Sequence, residues 1–203
     1  MNATKQPVLN RGEAPDSFLS ELVNWAKTAP DDVFAENSST TDIYGKIKAE
    51  LGPWTGLDHR KAAMLEVMRV LALFESSCDW KEGVDTSRLG SDSPSNSEAG
   101  AWQVSYDAAK PESRQDLRAL LAAHGVTDGI RFQQAMKFDH PLAMEFVARL
   151  MRFNTKHNGP LYKGDERLAI RASLRDAKYS IYPWLRRDSV AEFQELLSSL
   201  PTA

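Results

Sequence analysis

Leu65-Glu-Val-Met-Arg-Val-Leu-Ala-Leu-Phe74 is apolar at nearly every position and is followed at once by Glu75. A helix that is apolar on all faces has no side to give to water, so this segment is expected at the centre of the molecule. A carboxyl group at the end of such a helix is partly desolvated, and the partial negative charge of the helix C-terminus also disfavours its ionised form. Glu75 is therefore expected to hold its proton close to neutral pH, as a general acid must. Glu66 lies nine residues earlier, about 900° around a helix, so it faces the opposite side and makes no catalytic pair with Glu75.

Downstream the chain reads Ser76-Ser-Cys-Asp-Trp80, then a polar stretch that includes Asp85 and Ser91-Asp-Ser-Pro-Ser-Asn-Ser-Glu98, then Ala99-Gly-Ala-Trp-Gln-Val-Ser-Tyr106. Alternation around Ala101–Tyr106 predicts a small hairpin or a pair of short strands. The order of apolar helix, Glu75-Ser76, polar spacer and Gly100-Ala101-Trp102-Gln103 resembles the core of the lysozyme-like superfamily, above all its lytic transglycosylases and goose-type lysozymes. Further on, Thr155-Lys-His-Asn-Gly-Pro160 stands where that family carries an Ala-Tyr-Asn-Ala-Gly-like run. Asn158 and Gly159 match it, and His157 takes the place of the Tyr.

The resemblance implies a mainly α, lysozyme-like single domain with a small β-hairpin or irregular lobe flanking the cleft. It implies cleavage of the β-1,4 bond between N-acetylmuramic acid and N-acetylglucosamine in peptidoglycan, by a lytic transglycosylase or a muramidase, with Glu75 as catalytic acid and then base. A chitinase- or chitosanase-like action on a related aminosugar polymer is the alternative within the same chemistry. A transglycosylase needs no second carboxylate, because the sugar's own 6-hydroxyl attacks. An inverting hydrolase needs one about 6.5–9.5 Å from the acid, and Glu98 and Asp92 are favoured for it over Asp79 and Asp85. Ser76, Gln103, His157 and Asn158 are the expected polar contacts to substrate, and Trp102, Tyr106 and Trp80 offer flat rings for sugar faces. The same rings serve a core equally well, and a structural Glu75 would be tied to a nearby Arg or Lys.

Other chemistries find less in the sequence. Cys78, with His124, His140 or His157 as base, is the nucleophile of a competing amidase or peptidase reading, although no Gly or Asn context surrounds it. Neither His-Glu-x-x-His nor Cys-x-x-Cys occurs, so no metal and no cofactor is expected. A module that binds glycan or a partner without catalysis is the third class, because fold alone does not fix function.

The 203 residues, 42% of them apolar and five of them Trp, supply one sizeable core. Residues 1–15 are expected to form a loose tail and residues 16–203 a single domain. A formal charge of −3 with no Lys/Arg run leaves no nucleic-acid footprint. A lone cysteine forms no internal disulfide. The N-terminus has no apolar signal region and no run of 18 apolar residues exists to serve as a membrane anchor. The expectation is a chain made in the cytoplasm and delivered to the cell wall by phage lysis or a secretion machine, the latter implying an immunity protein as partner.

Periodicity places helices from Asp16 to Pro30, from Asp42 to Gly52 and from Asp58 to Glu75. Further helices are expected from Pro111 to Gly125, over Gly129–Lys137, from Asp139 to Asn158 and around Val190–Leu197.

Overall fold

The computed structural model describes residues 2–37, 42–83, 93–153, 161 and 180–199. Among them lie seven α-helices: α1 Asp16–Thr28, α2 Ile43–Leu51, α3 Leu57–Ser76, α4 Gln115–Ala123, α5 Gly129–Phe138, α6 His140–Phe153 and α7 Arg187–Ser199. The protein is mainly helical. The expected hairpin is reduced, among the described residues, to one antiparallel bridge between Ala99 and Val104. The segment is too short to propagate a ladder, and Gly100 and Gln103 both take left-handed φ values inside it.

Local chemistry explains the helix boundaries. Asp42 caps α2, its Oδ1 accepting from the Tyr44 N–H at 3.2 Å, and Asp128 caps α5 by accepting from Ile130 and Arg131 at 3.0 and 2.9 Å. Asp16 is the first residue of α1 and follows Pro15, so it favours the positive helix end as a first-turn anion instead of capping it. The turn after Pro111 is a 3-10 turn over Glu112–Arg114, and α4 begins only at Gln115. Gly125 ends α4 at φ +68°, with Val126 N–H on the Leu121 carbonyl at 2.9 Å and Gly125 N–H on that of Ala122 at 3.0 Å. This pair of bonds defines a Schellman motif and brings Val126 against Leu121.

α3 runs through the middle, and every residue from Ala62 to Leu73 is buried. α7 lies along it, α1 touches α3, α6 and α7, and α5 packs on α6. Within this apolar helix Glu66 and Arg69 form a fully buried bidentate pair at 2.8 and 2.9 Å. The guanidinium also donates to the Gln6 carbonyl at 2.9 Å, and Glu66 accepts the Arg186 N–H at 3.0 Å.

Residues 2–15 are consequently not a loose tail. A buried guanidinium has five donors to satisfy, and the chain before α1 supplies an acceptor by lying against α3, with Val8 only 1% exposed. The 3-10 turn Ala3–Lys5 is fixed to α7 as well: Thr4 N–H donates to Glu192 at 2.9 Å and the Ser189 hydroxyl donates to the Ala3 carbonyl at 2.8 Å.

A second polar hub closes the far side of α6. Arg152 grips Asp42 through Nε and Nη2 at 2.9 and 3.0 Å and also donates to the carbonyls of Asp32, Val33 and Ala35. Arg60 donates to Phe34 and Ala35 and lies 3.7 Å over the Tyr44 ring. Two guanidinium groups thus satisfy carbonyls of the 3-10 turn Asp31–Val33 and of the two residues after it, among which Val33 and Phe34 are buried.

Candidate functional site

Glu75 sits half-buried in the last turn of α3. The helix stops there because Ser77 and Cys78 adopt φ values of +59° and +66°. Their N–H groups turn back to the carbonyls of Leu73 and Ala72 at 3.2 and 3.1 Å, so the helix end is satisfied by two left-handed residues that carry side chains. Such residues usually cost energy and collect near functional sites. The four non-glycine residues of positive φ among those described are Leu9, Ser77, Cys78 and Gln103. All belong to the three segments that contribute Arg11, Glu75 and Glu98.

Ser76 connects two of those segments. Its buried hydroxyl donates to the Ala101 carbonyl at 2.8 Å, lies 3.3 Å from that of Ala72 and accepts the Asp79 N–H at 3.1 Å. The turn so anchored is closed by reciprocal bonds between Ala99 and Val104 at 3.0 and 3.3 Å. Gly100 sits at φ +76°, where a Cβ would come 2.6 Å from the Met136 carbonyl oxygen. Only glycine allows this turn to press against α5. Glu98 is the exposed residue that leads into it.

The electrostatics follow from this placement. Burial pushes the Glu75 carboxyl up to about 7, the negative charge of Glu98 adds to the rise, and Arg11 opposes it. Near neutral pH the group is therefore close to half protonated, able to give a proton and then take one back. The contrast with Glu66 is direct. Burial raises that carboxyl too, but its oxygens are occupied by Arg69 and the Arg186 N–H, whereas no such bidentate partner meets Glu75 among the described residues.

The remaining expected site residues are placed less uniformly. Trp102 is a core residue, which corrects its expected role against sugar: it is 3% exposed and its Nε1–H donates to the Met68 carbonyl at 2.9 Å. An indole buried among Phe18 and Trp80 has no face to offer. Gln103 is half-buried and donates through Nε2 to the Gly100 carbonyl at 2.9 Å, so that donor closes its own turn. Tyr106 is engaged by other residues. Its hydroxyl donates to the Thr127 carbonyl at 3.1 Å, and its ring lines a cavity of about 250 Å³ that does not include Glu75. Asp92, His157 and Asn158, and with them Asp85, lie outside the described residues.

The competing nucleophile is disfavoured by its surroundings. Burial pushes the Cys78 thiol up to about 12, where the reactive thiolate is scarce at physiological pH. Two of its possible bases are engaged elsewhere. His124 faces Asp139 at 3.4 Å, and His140 contacts Glu21 while stacking on Trp80 with ring centres 3.8 Å apart. No cluster of His, Cys, Asp and Glu suited to a metal exists among the described residues, and no described helix is long and apolar enough to cross a membrane.

Arg11 is the member of the site that sequence reasoning missed. The available signal was Arg69 itself, a cation inside an apolar helix whose needs exceed one carboxylate and so call for a nearby chain segment. No protein-family model, curated protein or solved structure matches this chain.

Proposed function

We propose that the protein cleaves glycosidic bonds of an aminosugar polymer, peptidoglycan first among them, with Glu75 as the acid that protonates the leaving oxygen and then acts as base. The observation that carries this reading is the Glu75 carboxyl raised to about 7 by burial and by Glu98, on a helix end held in a left-handed conformation at Ser77 and Cys78. It is joined by the resemblance of Glu75-Ser76 and Gly100–Gln103 to the lysozyme-like core. In this reading Ser76 acts through the backbone, fixing the turn that follows Glu98, and Arg11 tempers the proton affinity of the acid.

The roles of the carboxylates follow from their environments. In this reading Glu98, exposed and within electrostatic reach of Glu75, stabilises positive charge developing on the sugar or activates water in a hydrolase. A transglycosylase would use only the electrostatic part of that role.

The test is digestion of purified peptidoglycan by the wild type and by Glu75→Gln, with mass spectrometry of the products. The wild type is expected to release anhydro-muropeptides or reducing-end sugars, and the variant to lose at least about a hundredfold in rate, as for removal of a general acid. Cys78→Ala is expected to retain activity. Cleaved peptides in place of sugars, or no product from the wild type on peptidoglycan or chitin, would overturn the proposal.

A further inference from the structure

The cavity away from Glu75 has the makings of a binding site of its own. Its floor is apolar: Ala109, Leu121 and Val126 are all buried, and the Schellman turn at Gly125 is what draws Val126 under Leu121. Its walls carry Lys110 and Arg118, and no Asp or Glu is among the described residues that line it. The Tyr106 hydroxyl bonded to the Thr127 carbonyl ties one wall to the other, and the Tyr106 ring is braced edge-on by Phe132 at 5.9 Å.

Arg118 is held in place without being neutralised. Its Nη1 donates to the carbonyls of Ala109, Lys110 and Pro111 at 3.2, 3.0 and 2.7 Å, and Nη2 reaches that of Glu112 at 3.4 Å. Among the described residues no carboxylate pairs with it, whereas Lys110 already has Asp107 at 2.8 Å. A guanidinium oriented by neutral carbonyls at the wall of an apolar cavity keeps its charge for an anion.

We infer that this cavity binds a small amphipathic anion, a carboxylate on a compact aromatic or branched aliphatic body. The volume agrees: about 150 Å³ accommodates benzene in a dry cavity, so about 250 Å³ admits such a ring together with its carboxylate. The apolar body rests on Leu121 and Val126 and the carboxylate faces Arg118. The inference is independent of the chemistry proposed for Glu75.

The experiment is an NMR titration of the full chain with benzoate and, as a neutral match in size, benzyl alcohol. Benzoate is expected to shift the methyl signals of Leu121, Val126 and Ala109 and to bind at least about tenfold more tightly than benzyl alcohol, the difference of one charge-assisted hydrogen bond. Arg118→Gln should bring the two affinities together. Ala122→Trp, at an exposed wall position on α4, should block both while leaving signals elsewhere unchanged. Absence of benzoate shifts at those methyls in the wild type, or equal affinity for the two probes, would overturn the inference whatever the variants do.

Discussion

A proton held on Glu75 has a consequence for stability as well as for chemistry. An acid whose pKa is raised on folding, here from 4.5 to about 7, binds protons more tightly in the folded state than in the unfolded one. The stabilisation is therefore fully present below pH 4.5 and is lost as pH rises through about 7. At about 1.4 kcal/mol per pKa unit the loss is of order 3 kcal/mol. Glu75→Gln keeps the shape and removes the titration, so it should match the wild type near pH 4 and exceed it in stability above pH 7. Urea midpoints measured across that range check this, and a variant equally stable relative to wild type at both ends would show that Glu75 is well solvated. Glu98→Gln should move in the same direction by a smaller amount, since the like charge is the second cause of the shift.

At the scale of elements, the end of α3 and the Ala99–Val104 turn behave as one piece, joined by the Ser76 hydroxyl on Ala101 and by Trp102 on Met68. Gly100 tests that unit. An alanine there would be forced into a left-handed backbone and would place its Cβ 2.6 Å from the Met136 carbonyl, so Gly100→Ala should destabilise by about 2 kcal/mol or more. Chemical denaturation reads the loss, and a change below about 0.5 kcal/mol would mean that α5 yields easily. Most helices were legible from periodicity and from caps such as Asp42 and Asp128, because both signals are local. The hairpin was not. Its alternation spans too few residues to distinguish strands from a turn whose apolar residues, Ala101 and Trp102, are buried against a helix distant in sequence.

Across the whole molecule the buried Glu66–Arg69 pair is the joint where α3, the N-terminal segment and the chain entering α7 meet. Removing one partner strands the other without solvent, which typically destabilises by about 3–5 kcal/mol. Arg69→Met should fall in that range by urea unfolding and should also release the Gln6 carbonyl, seen as faster amide exchange over residues 5–11. Unchanged exchange there would mean that Val8 and Thr4 hold the segment without Arg69. Because that segment also carries Arg11, the same variant is expected to change the pH dependence of any activity of Glu75.

The amino-acid order by itself determined a mainly helical chain, with α3 at its centre and a carboxyl at the end of α3 that resists ionisation. These follow from short-range patterns: an apolar run with no polar face, and an acid placed where that run ends. Only the tertiary structure decided what surrounds the acid. Arg11 and Glu98, 64 residues before and 23 residues after Glu75, were brought within electrostatic reach of it, while Trp102 and Tyr106 were drawn off to the core and to a separate cavity. Burial and charge at a point depend on every segment that packs there, and no local pattern in the chain records which segments those will be.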